Sequence, residues 1–210
     1  MTGGPLTEAL SGVEPPIPPE AREQLAHLFR MLRAWRGAGI VGFRSAEDLA
    51  IHYFREALLL GRLLPEHGPF LDIGSGGGTP ALPLAIARGG QWLLLEPRQV
   101  SAAFLEMATD KLGLSSRVRV IRQRLKEFLS SETGRAEVRR VSAVTMRAVK
   151  LQRGEWAMLA AGTSAGVPVI WPTSRAARKR AALESGVFDE EFIPADRGIV
   201  WVGRRGKQSP

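Results

Sequence analysis

Apolar positions Leu25, Leu28, Phe29, Leu32 and Trp35 recur every three or four residues, the spacing that lines one face of a helix over residues 20–35. Gly37 and Gly39 stop that pattern. Ser45, with Asp48 three residues on, makes a capping-box-like start for a second helix over residues 45–64, ended by Pro65. The rhythm then changes. Short apolar runs at residues 69–73, 91–96, 117–121, 140–145, 167–171, 188–193 and 199–203 predict seven strands. Helix-like stretches at residues 80–88, 102–112, 125–129, 155–161 and 175–183 separate the first six of them. This alternation predicts an α/β fold built on a doubly wound, mostly parallel seven-stranded sheet. The last two strands, joined by a short turn at 194–198, predict an antiparallel C-terminal edge hairpin. Residues 1–19 are rich in Gly and Pro and end in Glu14-Pro15-Pro16-Ile17-Pro18-Pro19, which predicts a flexible leader. Residues 20–210 read as a single domain, with the N-terminal helices of 20–66 packed on it.

Composition narrows the function classes. There is no cysteine, so disulfides, thiolate zinc sites and iron–sulfur clusters are excluded, and no metal site is expected. No apolar run approaches the ~20 residues of a membrane span, and the first residues lack the basic start and apolar stretch of a secretory signal. These features predict a cytoplasmic protein that does not use a membrane. The net charge is +8, from 29 basic and 21 acidic residues. Such a surface attracts polyanions, although an Arg-rich composition alone also produces it.

One segment carries chemistry. Phe70-Leu71-Asp72-Ile73-Gly74-Ser75-Gly76-Gly77-Gly78-Thr79-Pro80 ends a predicted strand and opens a helix, the place where open parallel sheets bind ligands. Gly74 and Gly76 can adopt positive φ and let the backbone approach a ligand closely. Asp72 can bind a ligand ammonium, directly or through water, and would repel a pyrophosphate. Glu96 ends the next strand, where an acid accepts hydrogen bonds from both hydroxyls of a ribose. A carboxylate for an amino-acid end and another for a ribose point to S-adenosylmethionine rather than to NAD. A Walker-type phosphate loop is excluded, because no Gly-Lys-Ser/Thr follows. The bland alternative is a glycine-rich turn with two incidental acids.

The run LDIGSGGGTPALPLAIA resembles the bacterial small-subunit (16S) rRNA guanine-N7 methyltransferases, the glucose-inhibited division protein B family. The loop of that family reads Asp-[Ile/Val]-Gly-[Ser/Thr]-Gly-x-Gly-x-Pro-x-[Ile/Leu]-Pro-Leu, and Pro80 and Pro83 stand at its two prolines. Phe104-Leu105, Arg124 and Thr145-x-Arg147-Ala148-Val149 match further, and His52 with the preceding helices and Trp35 is similar to the family's N-terminal region. The resemblance spans roughly residues 25–203. It implies a Rossmann-like methyltransferase fold and S-adenosylmethionine held by Asp72, Gly74, Ser75, Gly76, Gly78, Pro80 and Glu96, with Leu125 and Lys126 after the third strand. It also implies methyl transfer to N7 of a guanine in 16S rRNA by a monomer acting on rRNA or the small ribosomal subunit. The chain departs from the family on the substrate side. Arg55-Glu56 stand where the family has Asp-Ser, Val100-Ser101 where it has Lys-Arg, Lys126 and Ser142 where it has acids, and Trp171-Pro172 where it has Lys-Gly.

Guanine N7 carries a free lone pair and loses no proton on methylation, so positioning and desolvation suffice and no general base is needed. Arg147 is the candidate catalytic and substrate-binding residue: a guanidinium beside the fourth strand can hold a phosphate or the guanine O6 edge. The alternative is a structural arginine paired with a local carboxylate. His52 is a second candidate for the substrate, or else a satisfied histidine of an amphipathic helix. Candidate RNA-binding clusters are Arg30, Arg33 and Arg36; Arg139-Arg140; Arg175, Arg178 and Lys179; and Arg204-Arg205-Gly206-Lys207, each otherwise a solvated charged face. Trp35, Trp92 and Trp171 read as core, whereas Trp156 and Trp201 are placed where either could stack on a base. Two further readings stay open. One is a diverged S-adenosylmethionine-dependent methyltransferase acting on another RNA, a protein or a small molecule; the other is a non-catalytic protein that binds S-adenosylmethionine or the ribosome.

Overall fold

The computed structural model describes residues 4–173, 188–194 and 199–205. Seven strands form one sheet: β1 (Phe70–Ile73), β2 (Trp92–Leu95), β3 (Val118–Ile121), β4 (Ala143–Met146), β5 (Pro168–Thr173), β6 (Asp189–Pro194) and β7 (Ile199–Arg204). Their order is β3-β2-β1-β4-β5-β7-β6. β1 to β5 are mutually parallel, and β7 runs antiparallel between β5 and the edge strand β6. The predicted doubly wound sheet and its edge hairpin are therefore present. Strands covered on both faces need no polar alternation, and every residue of β1 and β4 is buried.

Side chains alternate across the sheet and so feed two cores. Phe70 joins the core formed with α2 (Pro19–Ala34), α5 (Ala81–Arg88) and α6 (Gln99–Lys111), while Leu71 and Ile73 join that of α7 (Leu125–Ser130), α8 (Glu132–Arg140) and α9 (Arg153–Gly162). Asp72 shares the face of Phe70, beneath the N-terminal helices. Those helices include α3 (Ala46–Leu49), which passes through a π-helical turn (Ala50–Arg55) into α4 (Glu56–Leu60). Ser45 caps α3, its Oγ accepting from the Asp48 N–H at 3.1 Å, as the spacing predicted.

Three expectations need correction. The leader is not loose: α1 (Pro5–Leu10) forms within it, and Leu6, Leu10, Val13 and Ile17 are buried in the first core. Leu6, Ala9 and Leu10 have helical spacing with proline at the first turn, and Arg55 ties the segment down by donating to the carbonyls of Ala9 and Ser11 at 3.0 and 2.9 Å. The fourth strand begins at Ala143 rather than at residue 140, because α8, capped by Ser131 accepting from the Gly134 N–H at 2.9 Å, runs to Arg140. Trp156 and Trp201 do not present a stacking surface. Both are fully buried, 5.3 Å apart at their ring centroids, against Phe188 and the half-buried Trp171. Trp92 is buried as expected, and Trp35 is half-buried against Phe104. The expected helix at 175–183, with Arg175, Arg178 and Lys179, lies outside the described residues, as does most of the turn at 194–198.

Candidate functional site

The glycine loop leaves β1 and is hooked onto β2, whose Leu95 carbonyl accepts from the N–H groups of Gly74 (2.8 Å) and Ser75 (3.0 Å). Gly74 and Gly76 have φ of +68° and +54°, so the positive φ expected of them is required. Gly74 also lacks room: a Cβ there would lie 2.5 Å from Val149 Cγ2. Across the loop, a Cβ on Gly77 would collide with Val41 and Ile40, and the Tyr53 hydroxyl donates to the Gly77 carbonyl at 2.5 Å. The loop is thus clamped between the turn after β4 and the N-terminal segment, and only glycine fits both contacts.

Two carboxylates flank it. Asp72 is buried, and its Oδ1 accepts from the Thr145 hydroxyl at 2.6 Å across the β1–β4 pair. Its Oδ2 is buried with no hydrogen-bond partner. Burial disfavours the charged form and pushes its pKa up to about 7, with the Thr145 bond opposing the shift. Glu96 is also buried; its Oε2 accepts from the Gly76 N–H at 2.7 Å and its Oε1 from the Arg98 N–H at 2.9 Å.

A third group stands opposite. Arg147 follows β4 and reaches back to the N-terminal helices. Its Nη2 pairs with Glu56 Oε2 at 3.0 Å, and its Nη1 donates to the His52 carbonyl. His52 lies between two acids on its own helical face, with Nδ1 2.6 Å from Glu56 and Nε2 3.1 Å from Asp48. Ala148, next to Arg147, has φ of +54°, a conformation non-glycine residues rarely adopt and one that clusters at functional sites. That turn is what points Val149 at Gly74.

These parts enclose one cavity of about 630 Å³, within the range of small-molecule sites. Of the residues singled out from sequence, Gly74, Ser75, Gly76, Glu96, Arg147 and His52 line it. Asp72 lies behind the loop. Gly78 packs on Leu82 and Tyr53, and Pro80 precedes α5. Leu125 is buried in the second core and Lys126 is exposed, so at the start of α7 the lining residue is Arg124. Sequence reasoning missed Tyr53, Glu56, Arg98 and residues 40–43. Glu56 was findable, being one helical turn beyond His52. The Ile40–Phe43 stretch carries no periodic signal.

The residues present fit S-adenosylmethionine. An ammonium, or a water it holds, would satisfy the orphaned Asp72 oxygen. A carboxylate has about four acceptor positions; Glu96 uses them on the Gly76 N–H, the Arg98 N–H and the Arg98 Nε at 3.2 Å, and a ribose would take the free position and that of the exposed Arg98 side chain. The fold agrees. A methyltransferase from Geobacter sulfurreducens superposes with a TM-score of 0.60 at 15% identity, covering 99% of this chain and 98% of its own. An RNA methyltransferase from Salinibacter ruber, in complex with S-adenosyl-L-homocysteine, does so at 0.53 and 17%, covering 73% of this chain and 90% of its own. Among sequence relatives, the ribosomal RNA small subunit methyltransferase G of Rhizobium meliloti (strain 1021) is 32% identical over 149 residues, 69% of this chain. The chain spans 65% of that relative, and 52–59% of the next three, less than two thirds of their length. The model of the family described as rRNA small subunit methyltransferase G matches residues 21–160, and the chain belongs to that family.

Proposed function

We propose that this chain transfers a methyl group from S-adenosylmethionine to N7 of a guanine in small-subunit (16S) rRNA, acting in the cytoplasm as a monomer. What carries the reading is the sharing of one cavity by a cofactor-type loop, with Glu96, and a braced arginine, Arg147. Asp72 and Glu96 hold the amino-acid and ribose ends of the cofactor, and the loop backbone between Gly74 and Gly77 lies against it. Leu125 and Lys126 stand beside this site, at the start of α7. Bound there, S-adenosylmethionine supplies a methyl group already activated by a sulfonium.

The chain's own task is then to orient an acceptor and exclude water. Arg147 keeps donors free beyond those used on Glu56 and the His52 carbonyl, because a guanidinium carries five N–H groups. Directed at guanine O6, those donors orient the N7 edge without a proton transfer. His52 is held by both acids and shapes the wall beside Arg147.

The test is transfer of labelled methyl to small ribosomal subunits that lack the modification, followed by digestion to nucleosides. Labelled 7-methylguanosine supports the reading. A different methylated nucleoside, or no transfer with intact cofactor binding, would replace it with a diverged substrate.

A further inference from the structure

Among the described residues, one basic cluster adjoins the cavity. Arg30 and Arg33 lie one turn apart near the end of α2, and Arg36 follows in the turn beyond. With Phe43, Ser45 and Ala46 opposite, they line an open cleft of about 430 Å³. Phe43 lines both this cleft and the cavity that holds Arg147, so the half-buried ring is the partition between them. Arg36 is fixed there: its guanidinium carbon is 5.3 Å from the Phe43 ring centroid, and its Nη2 donates to the Arg44 carbonyl at 3.4 Å. Arg33 stands 5.9 Å from the ring of Phe29. A guanidinium stacked on a ring keeps its in-plane N–H groups free to grip a phosphate. No carboxylate lines the cleft; Glu47, fully exposed in the first turn of α3, is the acid whose charge senses Arg33.

Of the other described basic pairs, Arg204 in Arg204-Arg205 is paired with Glu191 at 3.3 Å, and Arg139-Arg140 is remote. Arg140, at the end of α8, lines a depression with Pro69, Gln91 and Arg117, which precede β1, β2 and β3. That is the amino-terminal end of the sheet, opposite the glycine loop.

We propose that the Arg30–Arg33–Arg36 cleft binds a backbone phosphate of the single-stranded RNA whose target base enters the neighbouring cavity, with Phe43 stacking on a base at the partition. This deepens the rRNA reading and rests on it. Three guanidiniums in a cleft that no carboxylate lines, with the exposed Glu47 at its edge, select a phosphate. The continuity of cleft and cavity across one aromatic side chain selects a strand that passes from one to the other, and aromatic stacking tolerates any base.

The experiment measures binding of a short, guanine-containing single-stranded RNA between 50 and 200 mM salt, roughly the range over which counterion release is read. It compares the intact protein, Arg30→Gln/Arg33→Gln and the charge-matched Arg139→Gln/Arg140→Gln. Each phosphate contact on a single strand contributes a slope of about 0.7 in log K against log salt. The cleft pair should therefore lose about 0.7 of slope and the distal pair none, with S-adenosylmethionine affinity unchanged in both. A Phe43→Leu variant should weaken RNA roughly tenfold with the salt slope kept, since it removes stacking and no charge. Equal losses in the two pairs would mean a diffuse charge effect and overturn the proposal, as would no loss in the cleft pair. Failure of the rRNA reading looks different: the unaltered protein then yields no 7-methylguanosine from ribosomal subunits, whatever the slopes.

Discussion

Replacing Asp72 with asparagine removes a buried charge while leaving an oxygen to accept from the Thr145 hydroxyl, now 2.6 Å away. The folded protein raises the Asp72 pKa from 3.8 to about 7, chiefly by burial. Between those two values the folded state binds more protons than the unfolded state, so this residue lowers stability as pH rises from about 4 to about 7, and by a constant amount above that. A shift of about three units corresponds to about 4 kcal/mol at full ionisation. Asp72→Asn does not titrate. Its stability relative to the unaltered protein should therefore climb by up to about 4 kcal/mol between pH 4 and pH 8, read as the difference in urea midpoints times the slope.

Cofactor affinity should move the opposite way. An ionised Asp72 facing an ammonium is worth on the order of 1.5–3 kcal/mol, so at pH 8 the variant should bind S-adenosylmethionine roughly ten- to a hundredfold more weakly. At pH 5.5 the unaltered Asp72 is itself mostly protonated, and the gap should narrow. A stability difference flat with pH would refute the buried titration. An affinity ratio flat with pH would refute the ammonium contact.

Other positions give sharper geometry. Gly74→Ala should abolish cofactor binding and destabilise the fold, through about 1–2 kcal/mol of left-handed strain and the collision with Val149; adding Val149→Ala should recover the second part only, in a double-mutant cycle of thermal midpoints. Glu96→Ala should lower affinity for S-adenosylmethionine by roughly tenfold or more in calorimetry, and an unchanged constant would remove it from the ribose site. Arg147→Ala should stop methyl transfer with cofactor affinity nearly kept; a large loss of affinity would reassign the residue to the cofactor. Glu56→Gln should lower kcat more than it raises KM, because it loosens Arg147 without touching the glycine loop.

The cofactor half of the site was readable because its constraints are local. A short buried run, a carboxylate at its end and glycines before a helix are contiguous from Phe70 to Pro80, and the backbone conformations of Gly74 and Gly76 belong to those residues alone. The covering half is assembled over distance. Val41 and Ile40 reach Gly77, and Arg55 reaches Ala9, through packing that no period in residues 1–19 or 36–44 announces. Trp156 and Trp201 were misjudged for the same reason: neighbours near in sequence do not reveal that four rings from three elements and a loop close on one another.

Arg147 shows the limit most clearly, since its pairing and its place in the cavity do not separate the two sequence readings of it. It pairs with a local carboxylate, as a structural arginine would, and it lines the cavity, as a substrate ligand would. The carboxylate is Glu56, one of the positions where the chain departs from its family by carrying Arg55-Glu56 in place of Asp-Ser. The acid thus stands four residues after His52 instead of three. In the same stretch the helix widens into the π turn of Ala50–Arg55. Glu56 stands against both His52 and Arg147. What reads along the chain as a departure on the substrate side is, in three dimensions, a brace on Arg147 and His52.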